Sequence, residues 1–346
     1  MQEKFEIKIK DCSILFNCPF REISKYLPNK STFIITDENV NRLYRNSFPS
    51  FREKIVIGSG ERVKTLQTIE MIYEKLLVGG ADRSSFILAV GGGVVCDIIG
   101  FAASTYMRGI DFAFVPTPLL AQVDAAIGGK NGVNFMGYKN IVGVFNQPVF
   151  VLIDPSFLPT LSDKEIFCGF SEVIKSAAIA DAEFFSYLEK YSRQALELES
   201  RVAEKIIRDT VKIKVSIVEK DEKEKGERKK LNFGHSFAHS LEKICRLSHG
   251  ESVSVGMVLA AELSVRKKNL ARADFERLRS LLIKYRLPVS LSFQKKAVFE
   301  TIRKDKKKKR ETIDFILLKS IGEASIENIE FKELMEVMDD LYQPGN

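Results

Sequence analysis

Hydrophobic and polar positions follow different patterns in the two halves of the chain. In the first half, short apolar runs with the length of buried parallel strands alternate with stretches of helical spacing. This alternation predicts an α/β fold with a largely parallel sheet over residues 1–155. The predicted strands are KFEIKI, SILF, TFIIT, KIVI, FILAV, FAFVPT and VFVLID, with a helix at REISKYL and a long amphipathic helix from Arg62 to about Val78.

Helical periods dominate the second half. They cover residues 163–179, 182–200, 201–226 and 252–267, and KELMEVMDDLYQ predicts a closing helix. DFILLKSIGEA predicts a small hairpin or a single strand. We therefore expect two domains, 1–155 and 156–346, the second mostly α-helical, with a cleft between them.

A glycine turn interrupts the apolar pattern after residue 90. Gly91, Gly92 and Gly93 follow the strand FILAV, and the helical pattern resumes directly after them. These glycines allow a positive φ and let a ligand approach the backbone closely. Free N–H groups at the start of the helix are suited to a pyrophosphate. The run lacks the spacing of the G-x-G-x-x-G fingerprint, so a turn that serves packing alone is the alternative.

A long polar segment, residues 116–148, is predicted to be a loop. It carries Asp124, Gly128-Gly129-Lys130, Asn134 and Lys139-Asn140. Lysines, glycines and amides at the carboxyl edge of a sheet favour a phosphorylated or carboxylated ligand, and a solvated loop is the alternative. Polar residues at the end of the strand TFIIT, Asp37 to Asn39, are expected at the same edge.

Composition indicates a globular protein with a mild positive charge. The 346 residues are 45% hydrophobic, and 53 Lys+Arg against 46 Asp+Glu give a net charge of +7. One dense basic run, Arg303 to Arg310, predicts a solvated loop, and no groove-reading motif accompanies it. An anionic small molecule is therefore a better expected partner than nucleic acid, although a basic binding protein without catalysis stays a hypothesis that rests on this run.

Other features of the composition concern location. The sequence shows neither a signal-peptide pattern nor an apolar run near the roughly 18 residues of a membrane helix. Five scattered cysteines lack C-x-x-C spacing, so they are expected to be reduced and structural. We therefore expect a soluble cytoplasmic protein that does not bind a membrane.

The three histidines of the chain, His235, His239 and His249, lie within fifteen residues of one another. Together with Glu172 they fit a catalytic zinc with three protein ligands and an open position. Spacing alone nominates His235 and His239 as an i,i+4 pair, and His249 with either of them is the open alternative. Glu172 and Lys175 share one helix face, where an ion pair with exposed ends is the simpler interpretation.

Six motifs, in this order and spacing, resemble the 3-dehydroquinate synthase family of sugar phosphate cyclases, over roughly residues 30–325. The resemblance implies a Rossmann-like NAD-binding domain followed by an α-helical metal-binding domain, with iron-type alcohol dehydrogenases and glycerol dehydrogenase as structural cousins. It also implies a homodimer. The motifs are GGGVVCDIIGFAASTYMRG, PTPLLAQVDAAIGGKNGVN, KNIVGVF, GFSEVIK, LNFGHSFAH and HGESVSVGM.

The resemblance also implies roles for individual residues. The metal, zinc or cobalt, would be held by Glu172, His235 and His249, which moves His239 to the substrate side as a proton and hydrogen-bond partner. The positions that match the family's NAD contacts are Asp37, Asn39, Glu61, Lys64, Gly92, Gly93, Val94, Asp97, Thr117, Lys130, Lys139, Phe157, Thr160, Leu161 and Glu165. The positions that match its substrate contacts are Arg108, Asp124, Lys130, Asn140, Lys175, Lys214, Arg228, Asn232 and His239, with one further lysine at 306 or 307.

The implied reaction converts 3-deoxy-D-arabino-heptulosonate 7-phosphate to 3-dehydroquinate. NAD takes a hydride from the C5 carbinol while zinc binds that oxygen as a Lewis acid. The C5 ketone acidifies C6–H, phosphate leaves by β-elimination with the substrate's own phosphate as a base, and the hydride returns to C5. Ring opening and an intramolecular aldol closure complete the carbocycle. Because NAD would be regenerated in each turnover, the resemblance implies a lyase, one of the shikimate pathway.

The sequence departs from the family at a few positions. Pro118 stands where a second threonine is usual, which removes a hydroxyl and an N–H near the cofactor and predicts an altered NAD contact. Ala125, Ala126 and Ser171 are small substitutions that leave the charge unchanged.

Two other enzyme classes remain as alternatives. One is another cyclase, acting on sedoheptulose 7-phosphate or glucose 6-phosphate, but the set Lys214, Arg228, Asn232 and His239 suits a carboxylated substrate. The other is a metal-dependent polyol dehydrogenase, which would not need so many anion-binding residues.

Overall fold

A computed structural model describes residues 5–292, 295–305 and 312–341 of the chain. The chain divides into two compact units, Met1–Leu161 and Ser162–Asn346, called here the N-terminal unit and the C-terminal unit. The assignment of domains to 1–155 and 156–346 stays a prediction. Among the described residues, no helix combines the length and the apolar character needed to cross a bilayer.

The N-terminal unit is built on a seven-stranded sheet with the order β1-β2-β9-β6-β5-β3-β4. Strand β1 pairs antiparallel with β2, and every other pairing in this sheet is parallel. The α/β fold with a largely parallel sheet is thus confirmed. The strands are β1 (Phe5–Ile9), β2 (Cys12–Phe16), β3 (Thr32–Asp37), β4 (Glu53–Ile57), β5 (Phe86–Gly91), β6 (Asp111–Pro116) and β9 (Phe150–Ile153).

Three α-helices accompany this sheet, namely α1 (Glu38–Tyr44), α2 (Leu66–Val78) and α3 (Gly93–Thr105). Helix α2 begins later than the predicted Arg62 because the Thr65 hydroxyl accepts a hydrogen bond from the Thr68 N–H and caps the helix. The helix-like segment REISKYL falls largely in a 3-10 helix, Phe20–Lys25.

The prediction of a loop over residues 116–148 is wrong. The segment contains a π-helical turn, Ala121–Ala125, and an antiparallel hairpin of β7 (Lys130–Phe135) and β8 (Tyr138–Phe145). At least one of its polar side chains serves this structure: the Asn131 amide donates to the carbonyls of Gly129 and Asn146 at 3.1 and 2.8 Å. The polar composition of this segment therefore led to the prediction of a loop, although the segment forms a hairpin that packs on α3.

The C-terminal unit is mostly helical, as predicted. The predicted period 182–200 is divided into two helices at Tyr191, and residues 314–324 lie in a hairpin of β10 (Thr312–Ser320) and β11 (Glu323–Glu330). The helices are α4 (Asp163–Ala180), α5 (Ala182–Lys190), α6 (Ser192–Leu196), α7 (Ser200–Lys220), α8 (His235–Cys245), α9 (His249–Arg266), α10 (Arg272–Lys284), α11 (Lys295–Asp305) and α12 (Phe331–Leu341). Helix α9 is buried along almost its whole length and contacts α4, α8, α10 and α12.

Candidate functional site

Three helices of the C-terminal unit bring a carboxylate and two imidazoles together. Glu172 lies in the middle of α4, while His235 and His249 are the first residues of α8 and α9. One ligand atom from each of the three lies within 4.8 Å of the others. The chain thus assembles a compact donor set from residues that are far apart in sequence.

Two close helix contacts create this convergence, and both need glycine. A Cβ on Gly250, next to His249, would overlap the backbone of Cys168, one turn before Glu172 on α4. A Cβ on Gly256 would overlap the carbonyl of Gly234, which precedes His235 at a φ of +79°. A larger residue at these positions would push α9 away from α4 and α8.

The two histidine rings present the same nitrogen to the carboxylate. Nε2 of His249 lies 3.0 Å and Nε2 of His235 lies 3.5 Å from Oε1 of Glu172. On the far side of each ring, Nδ1 of His235 lies 3.2 Å from the Phe233 carbonyl, and Nδ1 of His249 lies 2.8 Å from Oε1 of Glu242. Outer partners of this kind fix the ring orientation in metal sites.

The charges of the site are buried and compensated. Glu172 and Lys175 are 0% and 1% exposed and form an ion pair, so the interpretation of a pair with exposed ends is wrong. Burial alone would raise the pKa of Glu172, but Lys175, His235 and His249 outweigh burial and hold the pKa well below its usual range. Burial lowers the pKa of His235, whereas hydrogen bonds to Glu172 and Glu242 outweigh burial and raise the pKa of His249.

The donor set fits a divalent transition metal. One carboxylate oxygen and two imidazole nitrogens are the ligands that zinc uses in catalytic sites, and cobalt accepts the same donors. Both Nδ1 atoms already have partners, which leaves both Nε2 atoms on the Glu172 side. Among the described residues, the structure brings His249, and not His239, to Glu172 and His235. The i,i+4 spacing had nominated His239, whose exposed ring lies 5.7 Å from that of His235.

Further predicted substrate residues of this unit lie on neighbouring elements. Lys214 on α7 and Arg228 on the 3-10 helix Glu227–Asn232 are 6% and 2% exposed. The Arg228 guanidinium donates to the Glu222 carbonyl, and the Asn232 amide donates to Glu224. A cavity of about 310 Å³ adjoins this segment, and its lining includes Asn232, Ser236, Asp314 and Asn328. The predicted lysine at 306 or 307 lies outside the described residues.

The glycine turn of the N-terminal unit joins β5 to α3, as predicted, but it does not use the positive φ that glycine allows. Gly92 caps α3 with a φ of −80°, and neither Gly91 nor Gly93 has a positive φ. Glycine is required here because a side chain would clash with its neighbours. A Cβ on Gly91 would lie 2.6 Å from Val95, and a Cβ on Gly93 would lie 2.8 Å from Ala125. Gly92 differs, since its Cβ would stand 3.4 Å from the Pro118 ring, in ordinary contact.

A polar cluster next to this turn joins four predicted ligand residues. The Lys64 ammonium is buried and contacts both the Asp97 carboxylate on α3 and the Asn140 amide oxygen on β8. Asn134 adds Glu61 to the cluster, because its amide donates to Oε1 of Glu61 at 2.7 Å and its amide oxygen accepts from the Asn140 N–H at 2.8 Å. The hairpin is thereby tied to the start of α3.

The other predicted nucleotide residues have varied local roles. Asp37 caps α1 by accepting from the N–H groups of Asn39 and Val40, and Glu165 forms a capping box with Ser162 at the start of α4. Phe157 is 2% exposed and belongs to the hydrophobic core of this unit. The remaining positions differ in exposure and local structure. Thr160 donates to the Phe157 carbonyl, and Leu161 follows the 3-10 helix Pro155–Thr160 as its C-cap. Thr117 is buried, Asp124 lies in the π-helical turn, and the other positions are partly exposed (Gly92, Gly93, Val94) or exposed (Arg108, Lys130, Lys139).

Sequence reasoning gave no role to several residues that build these sites. Glu242 contacts the His249 ring, and Gly250 and Gly256 allow the helix contacts. Glu242 lies seven residues after His235, so helical periodicity places the two on one face of α8. That spacing was the available signal for Glu242, whereas no local signal marked the glycines.

Family models match both halves of the chain. The model described as 3-dehydroquinate synthase N-terminal matches residues 54–168, and the one described as 3-dehydroquinate synthase C-terminal matches residues 169–308. The chain is 40% identical to the 3-dehydroquinate synthase of Thermoanaerobacter pseudethanolicus, over 91% of this chain and 92% of that protein. It is 42% identical to the 3-dehydroquinate synthase of Geobacter metallireducens, over 83% of this chain and 80% of that protein.

Solved structures give the same architecture. The 2-epi-5-epi-valiolone synthase ValA of Streptomyces hygroscopicus, solved with NAD+ and Zn2+ bound, is 28% identical with a TM-score of 0.87, covering 95% of this chain and 96% of that one. A 2-deoxy-scyllo-inosose synthase complexed with carbaglucose-6-phosphate, NAD+ and Co2+ shares the fold at 24% identity and a TM-score of 0.87, covering 98% of this chain and 100% of that one.

Proposed function

The chain belongs to the 3-dehydroquinate synthase family, and from this premise we propose that it converts 3-deoxy-D-arabino-heptulosonate 7-phosphate to 3-dehydroquinate and phosphate. It acts as an NAD- and metal-dependent lyase. The observation that carries the proposal is the compact donor set Glu172, His235 and His249, which occurs in a chain that the family matches on both halves.

Both cofactors supply chemistry that the side chains lack. When bound, NAD supplies a hydride acceptor that is restored within the catalytic cycle, and zinc or cobalt supplies a Lewis acid for a substrate oxygen. Glu172, His235 and His249 would hold the metal, and Lys175 compensates the carboxylate charge that burial would otherwise destabilise. Glu172 therefore stays ionised and available as a ligand.

The remaining predicted residues of the C-terminal unit suit an anionic substrate. Lys214 and Arg228 are buried cations, and cations at such positions bind carboxylate and phosphate groups strongly. Asn232 borders the 310 Å³ cavity and His239 is exposed one helical turn after His235, where it would exchange a proton or a hydrogen bond with substrate. Binding of an anionic substrate by these residues accounts for the positive charges without a nucleic-acid partner.

In the N-terminal unit, the start of α3 would bind the pyrophosphate of NAD. Gly92 offers no side chain as a helix cap, so the first N–H groups of α3 are suited to an anion. Lys64 and Asp97 hold the hairpin against this helix. Pro118 stands beside Gly92, which supports the expectation of an altered NAD contact at that position.

A direct assay tests the function. The purified protein is incubated with catalytic NAD, zinc or cobalt, and in turn the heptulosonate phosphate, sedoheptulose 7-phosphate and glucose 6-phosphate. We expect phosphate release and a carbocycle from the heptulosonate alone. Release from another sugar phosphate would assign the chain to a different cyclase activity, and stoichiometric NADH from polyols would favour a dehydrogenase. Absence of phosphate from the heptulosonate would overturn the proposal.

We extend the proposal to location and assembly, as the sequence leads us to expect. The enzyme works in the cytoplasm as a homodimer that binds neither nucleic acid nor membrane. Sedimentation analysis measures the oligomeric state, and a monomer at working concentration would contradict this part without affecting the assigned reaction.

A further inference from the structure

The two histidines of the metal site are supported in different ways. Nδ1 of His235 faces a neutral carbonyl at 3.2 Å, whereas Nδ1 of His249 faces the Glu242 carboxylate at 2.8 Å. A charge-assisted hydrogen bond is shorter and stronger than a neutral one. A carboxylate behind an imidazole also makes the ring a stronger metal donor and fixes which nitrogen carries the proton.

His249 is also the histidine that most needs such support. Its side chain is 33% exposed, against 13% for His235, so packing restricts the ring less. The Glu242 side chain is 7% exposed, and burying a carboxylate is unfavourable unless a partner compensates it. His249 supplies that partner, because its Nδ1 is the atom that contacts the carboxylate.

We propose that Glu242 is a positioning residue of the metal centre, which holds the His249 ring with Nε2 towards Glu172 and strengthens it as a ligand. The inference rests on the proposed metal-dependent function. Helix α8 then serves the site twice, since it carries His235 as a ligand and, seven residues later on the same face, the outer partner of the ligand on α9.

Metal affinity without substrate is the test. Glu242→Gln keeps the size of the side chain and an acceptor oxygen but removes the charge, and Glu242→Ala removes both. From the usual effect of outer partners, we expect the dissociation constant for zinc, measured by competition with a chelator, to rise about tenfold in the first variant and up to about 100-fold in the second. The visible absorption of the cobalt-loaded protein should change in both variants, because the ligand field reports the His249 donor.

Glu262→Gln is the matched control. Glu262 is a carboxylate of the same unit with an 8% exposed side chain, but it pairs with Arg272 and lies near the C-terminal end of α9, whereas His249 is the first residue of that helix. We expect this variant to lose stability while it keeps the zinc affinity and the cobalt spectrum. Unchanged zinc affinity in Glu242→Gln, or an equal loss in Glu262→Gln, would overturn the inference. Failure of the proposed function would instead appear in the wild-type protein, as metal binding without phosphate release.

Discussion

The glycine turn at the start of α3 and the metal centre of the C-terminal unit use the same residue type for opposite purposes. At Gly92, a Cβ would meet only the Pro118 ring at 3.4 Å, so the fold has room for a methyl group there. At Gly250, a Cβ would overlap the backbone of Cys168. The space beside Gly92 is therefore available to a ligand, whereas the space beside Gly250 is already filled by another helix.

The two regions also differ in how they are encoded. The turn is a continuous stretch, in which β5 ends at Gly91 and α3 begins at Gly93. The metal centre joins His249 to Glu172 across a separation of 77 residues. Damage to the turn should thus remain local, while damage to a helix contact at the metal centre should displace ligands that the substitution does not touch.

Loss of a metal ligand should have the largest effect. We expect His249→Ala to lose stoichiometric metal and to lower zinc affinity by more than the roughly 100-fold typical of an outer partner. His239→Ala should keep the metal and slow turnover, because His239 is not part of the donor set. Metal analysis of the purified variants measures the metal content, and phosphate release measures turnover. Equal loss of metal in the two variants would favour the i,i+4 pair as ligands.

Substitution of Gly250 should displace a ligand indirectly. In Gly250→Ala, α9 must move away from α4, so we expect a loss of about 1–3 kcal/mol in the free energy of unfolding, as is typical of overpacking. Zinc affinity should fall as well, although no ligand is changed. Denaturant unfolding and zinc titration measure the two effects. A destabilised variant with wild-type zinc affinity would show that the contact does not set the ligand geometry.

Removal of the buried cation near the turn should act on the N-terminal unit alone. Lys64→Met loses charged hydrogen bonds to Asp97 and Asn140, each of the kind worth about 1.5–3 kcal/mol. We expect lower stability and weaker NAD binding with unchanged zinc affinity. Lys30→Met is the control, since the Lys30–Asp111 pair is more exposed and such pairs are worth about 1 kcal/mol or less. An equal loss in both variants would argue against a special role of the cluster.

The smallest effect on the fold is expected at Gly92. The free energy of unfolding of Gly92→Ala should differ from that of the wild-type protein by about 0.5 kcal/mol or less, as is usual for surface substitutions. Its methyl group would occupy space at the start of α3, so we expect the dissociation constant for NAD to rise about tenfold, which corresponds to about 1.4 kcal/mol. Calorimetric NAD titration measures it. Unchanged NAD affinity would indicate that the nucleotide does not approach this backbone.

The sequence by itself determined the elements and the chemical types of the site. Apolar runs located the strands of the parallel sheet, and the rarity of histidine drew attention to His235, His239 and His249. Local composition led to the wrong prediction of a loop over residues 116–148. Asn131 and Asn134 are typical loop residues when only the sequence is considered, but in the structure their side chains form hydrogen bonds in and next to a hairpin.

The spacing of the histidines left open which of them joins His235, and the family resemblance implied His249. Only the tertiary structure shows how His249 reaches the site and why the glycines occur where they do. His239 is near His235 in sequence, yet His249 reaches Glu172 because Gly250 and Gly256 let α9 approach α4 and α8. The three glycines of the turn allow unusual backbone angles, but none of them has a positive φ, and two of the three are required because neighbouring side chains fill the space of a Cβ. Close packing depends on what lies across from a residue, and that information is absent from its own segment of the chain.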